Sequence, residues 1–590
     1  MLKTELSIPK SRLYVAYGVV VFILLMLLVR FFILQVYHHE IYARKSDVNR
    51  IRAEAITAPR GLIRDRYGSI LVDNYPTFIL NVIPGEMTDY DNQIGKIGKI
   101  LNINRTVLDR NYKKYYRSRF TPVRIAKDLT IEQLSRLEEH RLELSGIHYN
   151  QFPERIFPSS IRGSHFLGYV KEIDKEIYQT LKNPDHYELG DLIGWQGIEQ
   201  VYNDELSGRR GVRYLEVNAY GQVTGVAKGR AGQHPQPGDD VYLTIDAGLQ
   251  TMLEKEMTGK KGVAIVSDAL TGGILAYVSV PDYPPDLFTG TTPVDVWNDL
   301  ITNTDRPLLD RNTSGLYPPG STFKMLSIIA LAENGKLDRN FVTTCTGIYP
   351  YGDRDFRCWK EEGHGKVDLT RALAESCNIY FYQIIQALDI DEWAEICRQF
   401  GFGDEVGIDL PREQRGMAPD RVYMNRRYGR FGWSKGVMLN LAIGQGDIMV
   451  TPLQLIQYTN LLATHGHTYR PHLKLGLLVP LNNTPQIRET TWRLIDRLIQ
   501  SVVYADHGTG GKANPHIPGL IIAGKTGTAE NPHGEDHAWF IGYGKKDDRI
   551  ISTTILIEHG GHGSSSAAPI ARDVFQYIFG PTTLASVRHE

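Results

Sequence analysis

The segment that most restricts this chain lies at its start. From Leu13 the sequence reads LYVAYGVVVFILLMLLV, meets Arg30, and continues FFILQVY. At about 1.5 Å rise per residue, an apolar run of this length spans the roughly 30 Å hydrocarbon core of a bilayer. Lys3, Lys10 and Arg12 precede it, so the positive-inside rule puts the N-terminus in the cytoplasm. A cleaved signal peptide would have a shorter apolar region followed by a small-residue cleavage site, and neither is present. No second run of comparable length follows, so the chain from Tyr37 onward is expected outside the cytoplasm, where a disulfide is chemically permitted.

A chain of 590 residues is too long for one ordinary core. Its net charge of −1, with no basic block, argues against nucleic acid as a partner. The stretch APRGLIRDRYGSILVDN (58–74) reads as a hairpin around a Tyr-Gly turn. Between Asp128 and Glu143 the apolar residues Leu129, Ile131, Leu134 and Leu137 have helical spacing. The Pro/Gly-rich stretch GQHPQPGDDVYLTID (232–246) marks a boundary, and KGVAIVSDALTGGILAYVSVPDY (261–283) reads as two buried strands joined by a Thr-Gly-Gly turn. Helical patterns follow, and strands return near 520 and at ISTTILIEHG (551–560). Strands at both ends with helices between predict an α/β sandwich whose sheet is completed late in the sequence. The expected layout is a cytoplasmic tail (1–12), a transmembrane anchor (13–36), an elongated α+β pedestal (37–235) and a catalytic domain (236–590).

Three short motifs stand in the second half. In YPPGSTFKMLSIIALAENG (317–335) the prolines and Gly320 prevent helix before Ser321, and Asn334-Gly335 ends it. Ser321 and Lys324 then share a helix face, with the amine in reach of the hydroxyl. A lysine whose pKa is lowered by burial can take that proton and make the serine a nucleophile. In AESCNIYFYQ (374–383), Ser376 offers a hydroxyl for proton relay and Asn378 an amide to hold a peptide bond, although capping alone also accounts for either residue. In IIAGKTGTAE (521–530) a strand runs into Lys525, Thr526, Gly527 and Thr528, a donor-rich rim for a carboxylate in which Gly527 permits close approach. A phosphate loop is excluded, because the upstream glycine spacing and the following helix are missing.

The order S-x-x-K, S-x-N, K-T-G is far more specific than any one motif, and it is the signature of penicillin-binding proteins and related β-lactamases. The sequence resembles the class B penicillin-binding proteins, specifically the elongation-type transpeptidase called penicillin-binding protein 2, over nearly its whole length. RGLIRDRYGSIL (60–71), GSHFLGYV (163–170) and GWQGIEQVYNDELSGRRG (194–211) are similar to that class's pedestal motifs. LTIDAGLQ (243–250), IGQGDIMVTPLQL (443–455) and HAWFIGY (537–543) are similar to its catalytic domain. Cys377 stands where S-D-N has its Asp, so the motif here reads S-x-N, as transpeptidases commonly show. The resemblance implies a serine β-lactamase-like α/β transpeptidase that cross-links peptidoglycan stem peptides during lateral wall elongation and rod-shape maintenance. It implies Ser321 as nucleophile, Lys324 as base, Ser376 and Lys525 as proton donors, and the N–H groups of Ser321 and Thr528 as oxyanion hole. Thr526 and Thr528 would hold the terminal carboxylate and Asn378 the donor amide. It also implies β-lactam sensitivity, an inner-membrane location with a periplasmic catalytic domain, and a pedestal that contacts a polytopic glycan polymerase and an elongation-scaffold protein.

Rival readings fit less well. A β-lactamase would add a deacylating carboxylate and lack the anchor and pedestal. A β-lactam-sensing receptor would have several spans and a cytoplasmic effector, for which the short tail leaves no room. A glycosyltransferase would need paired-Glu motifs that residues 37–230 do not show. A division-type class B transpeptidase stays open as the alternative.

One further constellation is independent of the resemblance. Cys345, Cys358, His364 and Cys377 are spaced C-x12-C-x5-H-x12-C, while Cys397 reads as a buried helix residue. A Cys345–Cys358 disulfide would account for two thiols but leave His364 and its flanking glycines without a role. Three thiolates and an imidazole make a closed tetrahedral set for structural zinc, bracing Ser376 from behind through Cys377.

Overall fold

The computed structural model describes residues 10–42, 51–181, 187, 189–218, 223–227, 229–289, 292–531 and 534–581. The first nine residues of the expected cytoplasmic tail, with Lys3, lie outside the described residues. Helix α1 (Lys10–Phe32) takes up the N-terminal apolar run. Together with the turn that extends it to Tyr37 it has a mean hydropathy of 2.8 and no buried residue. Among the described residues it is the one helix long and apolar enough to cross a membrane, and it fits a single-pass anchor.

Beyond it the chain forms two compact units. Met1–Pro59, Pro76–Pro153 and Gly208–Pro237 make one, and Arg60–Tyr75, Glu154–Ser207 and Gly238–Glu590 the other. In the first, Ile51–Ile56 pairs antiparallel with Gly211–Val217, and a core of Leu80, Val82, Ile94, Ile97, Val123 and Ile125 holds the rest. The helical spacing expected from Asp128 to Glu143 is only partly realised. Leu129 ends the strand Val123–Leu129, and the helix covers Ile131–Glu139. The reason is the cap: Thr130 accepts from the N–H of Gln133 while the Gln133 side chain returns to Thr130, which fixes the helix start after 130.

In the second unit the expected hairpin forms, with Ile63 opposite Val72 and Arg64 opposite Ile70. Its turn is built by Asp65, whose Oδ1 accepts from the N–H groups of Tyr67 (2.9 Å) and Ser69 (2.8 Å). Behind it, Glu199 is fully buried between two guanidiniums, Arg60 (2.6 Å) and Arg155 (2.6 Å). Burial works against its charge, but the two cations outweigh that and hold the carboxyl below its usual range.

The rest of the second unit is built on a five-stranded antiparallel sheet. Strands β1 (Gly262–Asp268), β2 (Ile274–Val280), β3 (Ile521–Ala529), β4 (His537–Lys546) and β5 (Arg549–Ile557) lie in the order β2-β1-β5-β4-β3, so β3 is an edge. The sheet is completed by segments more than two hundred residues apart, as the sequence pattern requires. Of helices α2 (Ala247–Glu256), α3 (Lys324–Glu333), α4 (Asn378–Ile384), α5 (Pro452–Thr464), α6 (Glu489–Tyr504) and α7 (Ala568–Phe579), α2, α5, α6 and α7 pack directly on it. Side chains alternate across a strand, so the two faces feed different cores. Trp539, Ile541 and Leu556 pack with α3, α5 and α6, whereas Phe540, Ile555 and Ile557 pack with Leu249 and Leu253 of α2 and Val574 and Phe575 of α7. Covered on both faces, β1 and β2 need continuous apolar runs and have them.

Glu199→Gln should destabilise the protein by roughly 3–5 kcal/mol, because it strands two buried guanidiniums. Thermal unfolding at neutral pH measures the loss. Since the native pKa of Glu199 is depressed, its contribution is present above the unfolded carboxyl pKa and is lost as pH falls through the native one. The variant and the parent should therefore converge in acid.

Candidate active site

The turn that carries Ser321 is 3-10 over Gly320–Phe323 and becomes α-helix at Lys324, as the Pro-Pro-Gly start predicts. Phe323 anchors it: the ring has no exposed surface and packs on Phe402 (centroids 4.6 Å apart) and Tyr458 (6.2 Å). A buried aromatic of this size contributes about 1.5–3 kcal/mol, so the position of Ser321 is fixed by packing. The backbone at Gly320 lies against the Thr528 carbonyl and donates to Gly444 (2.9 Å), which brings the turn to the edge strand β3. Gly527 makes that approach possible. A Cβ there would sit 3.1 Å from the Thr322 methyl and 3.2 Å from the Pro319 carbonyl.

Lys324 is buried and faces the second motif. Its Nζ donates to the Ser376 carbonyl (2.7 Å), Ser376 Oγ (3.1 Å) and Asn378 Oδ1 (2.7 Å). The expected contact with Ser321 is not among these bonds, and no hydrogen bond to the Ser321 hydroxyl is found among the described residues. The i, i+3 spacing puts both residues on one face, but the acceptors at Ser376 and Asn378 decide where the amine points. Burial lowers the Lys324 pKa to about 8, against the opposing pull of the thiols of Cys358, Cys377 and Cys345. Lys525 is also fully buried. Burial, and then the nearby Lys324 charge, lowers its pKa well below the usual range, and its Nζ donates to the Thr526 carbonyl (2.9 Å).

Ser376 is a non-glycine residue in left-handed backbone, with φ 58°. That turn aims its carbonyl at Lys324 and lets Cys377, which N-caps α4, project into another cluster. Cys345, Cys358, His364 and Cys377 are all buried, and one ligand atom from each lies within 4.8 Å of all the others. His364 Nδ1 is 3.5 Å from both Cys345 Sγ and Cys358 Sγ. Ligands of a tetrahedral ion at Zn–S and Zn–N distances of about 2.3 and 2.0 Å would lie roughly 3.6 Å apart, so the donor set fits a metal ion. Local structure explains the convergence. Thr343–Cys345 pairs with Gly365–Val367, and Gly363 (φ 78°) packs on the Cys345 carbonyl where a side chain could not enter. All four cysteines of the chain are free thiols, and Cys397 is buried in its helix. A hydrogen bond between the Cys377 and Cys358 thiols pushes Cys358 down and Cys377 up. The Asn378 N–H also points at Cys358 Sγ (3.4 Å).

The three motifs open on one cleft of about 330 Å³ lined by Ser321, Ser376, Asn378, Thr526 and Thr528. Sequence reasoning missed further lining residues. Thr509 accepts from the Thr526 hydroxyl (2.7 Å), and Gln445 Nε2 reaches the Thr528 carbonyl (3.5 Å). Arg357 and Trp359 flank the cluster residue Cys358 and also line the cleft, as do Glu530 and Asp536. Neighbours of recognised motifs were the available signal for Arg357, Trp359 and Glu530; Thr509 had none.

Residues 262–576 match the penicillin-binding protein transpeptidase domain, and residues 55–243 the penicillin-binding protein dimerisation domain. The chain is 32% identical to the peptidoglycan D,D-transpeptidase MrdA of Haemophilus influenzae, over 98% of this chain and 92% of that protein. It superposes on penicillin-binding protein 2 of Helicobacter pylori, solved in complex with MreC, with a TM-score of 0.79 at 27% identity, covering 90% of this chain and 100% of that one. A chain of a peptidoglycan synthase complex solved for the coordination of polymerization and crosslinking gives a TM-score of 0.71 at 27% identity, covering 97% and 99%. On these grounds the chain belongs to the penicillin-binding protein family, in its elongation-type penicillin-binding protein 2 branch.

Proposed function

We propose that this chain is a penicillin-sensitive D,D-transpeptidase that cross-links peptidoglycan stem peptides during wall elongation, with Ser321 as its acylated residue. The observation that carries the site assignment is the convergence of a buried amine, two hydroxyls and an edge strand on one cleft. Ser321 Oγ attacks the penultimate D-Ala carbonyl, and the Ser321 and Thr528 N–H groups receive the oxyanion, each worth about 3–4 kcal/mol of barrier. Lys324 takes the hydroxyl proton; catalytic hydrogen bonds of this kind tighten when substrate binds. The C–N bond breaks, and Ser376, bonded to Lys324, with Lys525 behind it, passes a proton to the departing D-Ala amine. Thr526 and Thr528 hold the terminal carboxylate and Asn378 the donor amide. An acceptor amine from a second stem then attacks the ester, the C–O bond breaks, and the proton returns to Ser321. A β-lactam enters by the same first step and stays, because its acyl group is not displaced.

Cys345, Cys358, His364 and Cys377 hold zinc in this reading, a closed four-ligand site that supplies structure and no open position for chemistry. In this reading residues 37–235 form the pedestal and residues 236–590 the catalytic domain. Lys10 and Arg12 in the first turn of α1, ahead of its apolar run, support a cytoplasmic N-terminus and a periplasmic catalytic domain. The structures of related chains with MreC and within a synthase complex support a scaffold protein and a glycan polymerase as partners.

Ser321→Ala should form no covalent penicillin adduct in intact-protein mass spectrometry while unfolding at the parental temperature; a stoichiometric adduct on the variant overturns the nucleophile. In the parent, the second-order rate of penicillin acylation should rise with pH and level off above about 8, because the base must be unprotonated and Lys324 titrates there. Protein purified without chelator should contain about one zinc per chain, and Cys377→Ala should lose both the metal and acylation rate. Metal-free protein with a Cys345–Cys358 linked peptide would assign the loop to a disulfide.

A further inference from the structure

From Arg421 to Gly436 the sequence RVYMNRRYGRFGWSKG holds five cations and no carboxylate, in a chain whose net charge is −1. Its helical part, Arg421–Tyr428, is fastened to the body by the buried Met424 and by Arg421, whose charge is met by Asp389 (2.6 Å) and Asp391 (3.0 Å). Arg427 is paired with Asp447 (3.3 Å). Arg426, Arg430 and Lys435 are exposed and form no ion pair among the described residues. After the helix the chain makes one tight turn. Gly429 has φ 81°, the Gly432 N–H donates to the Gly429 carbonyl (3.1 Å), and a Cβ at Gly432 would collide with the Tyr428 carbonyl. Both glycines are needed to put Arg430 and Phe431 at the tip. The Phe431 ring is 94% exposed, with the Arg430 guanidinium carbon 5.8 Å from its centre. A cationic face that is merely solvated needs neither an apolar ring nor a fixed turn. This turn is pinned on both sides: the Tyr428 hydroxyl donates to Asp447 (2.8 Å), and the Trp433 indole N–H to Asn425 (2.9 Å). Asp447 is two residues beyond Gln445, which lines the cleft, so their Cα atoms are within roughly 7 Å. The turn therefore stands beside the cleft without lining it.

We infer that Arg430 and Phe431, with Arg426 and Lys435 beside them, form a holding surface for the uncross-linked glycan strand that carries the stem peptides. The inference rests on the reading that the cleft accepts those stems. Such a strand offers what the turn can bind: flat sugar faces for an exposed aromatic ring, and stem carboxylates for unpaired guanidinium and ammonium groups. Both belong to one polymer. A stem seated in the cleft keeps the rest of its strand close, so even weak contacts at the turn act at high effective concentration. The surface positions polymer and takes no part in the acylation step. An anionic bilayer would also meet the cations, but one exposed ring is too little apolar surface to enter its interface.

The probe is soluble, uncross-linked glycan strand bearing pentapeptide stems. It is mixed with the full chain in detergent after Ser321 has been acylated with penicillin, so that the cleft is closed to stems. The parent should bind the strands, and more weakly at about 1 M salt than at about 0.1 M, as exposed charges are screened. Arg430→Ala combined with Phe431→Ala should lower the affinity roughly tenfold, while Phe431→Trp keeps it. Arg426→Gln with Lys435→Gln should weaken it independently. All four side chains are exposed, so the rate of penicillin acylation and the thermal midpoint should stay at the parent's values. A parent that binds no strand overturns the inference, as do variants that bind as tightly as the parent. Variants that lose binding to vesicles of phosphatidylglycerol and phosphatidylcholine, with strand binding unmoved, would assign the turn to a membrane and equally overturn it. The underlying reading fails separately: a parent that forms no penicillin adduct at Ser321 has lost its nucleophile, whatever the strands show.

Discussion

An amine with no exposed surface must be met by acceptors or give up its proton, and Lys324 is placed for both. Stranding such a group unpaired would cost several kcal/mol, so the segments around it are not free to drift. The Ser376 carbonyl, the Ser376 hydroxyl and the Asn378 amide oxygen supply three acceptors within 3.1 Å. Ser376 reaches this arrangement in left-handed backbone, a conformation that costs about 1–3 kcal/mol in a residue with a side chain. The strain is local and the compensation is local: one backbone turn directs both a carbonyl and a hydroxyl at the same nitrogen. The dry surroundings that demand these bonds also lower the amine's pKa to about 8, so the requirement for packing and the requirement for a usable base have one cause.

The cluster of thiols and imidazole acts on the same wall from behind. Cys377 stands between Ser376 and Asn378, and Cys358 between Arg357 and Trp359; in each case the middle residue joins the cluster and its neighbours line the cleft, which Cys358 itself also borders. Two separate chain segments are therefore fastened at their centres and present their flanking side chains outward. Trp359 shows how the fastening is transmitted. Its indole N–H donates to the Glu375 carbonyl (3.1 Å) and its ring meets His364 edge-on, so one aromatic ties the cluster to the residue preceding Ser376.

Much of this was legible because it is periodic or locally spaced. The continuous apolar runs of β1 and β2 report burial on both faces, and the Pro-Pro-Gly before Ser321 reports a helix start. The cysteine and histidine spacing suggested a cluster although it matches no standard finger. What the sequence could not carry is direction. Lys324 shares a face with Ser321, yet its amine turns to Ser376 and Asn378, because the choice among acceptors is made by segments more than fifty residues away. Thr509 is a polar loop residue without periodicity, and only the fold brings it to Thr526. Leu129 fitted a helical stripe that begins in a strand, since a capping box that starts at the next residue outranks the spacing.

The position of β3 at the edge of the sheet connects these points. An open edge is a hazard, since its unpaired backbone groups invite another strand. Apolar side chains along that rim would make pairing with another chain indiscriminate. Here the cleft-facing positions are hydroxyls at Thr526 and Thr528 followed by a carboxylate at Glu530, with the buried Lys525 behind them. A bare hydrophobic strand gains nothing from hydroxyls and must desolvate the carboxylate. The edge is thus left open to a polar strand and closed to an apolar one by the same residues, and Ser321 lines the cleft beside it.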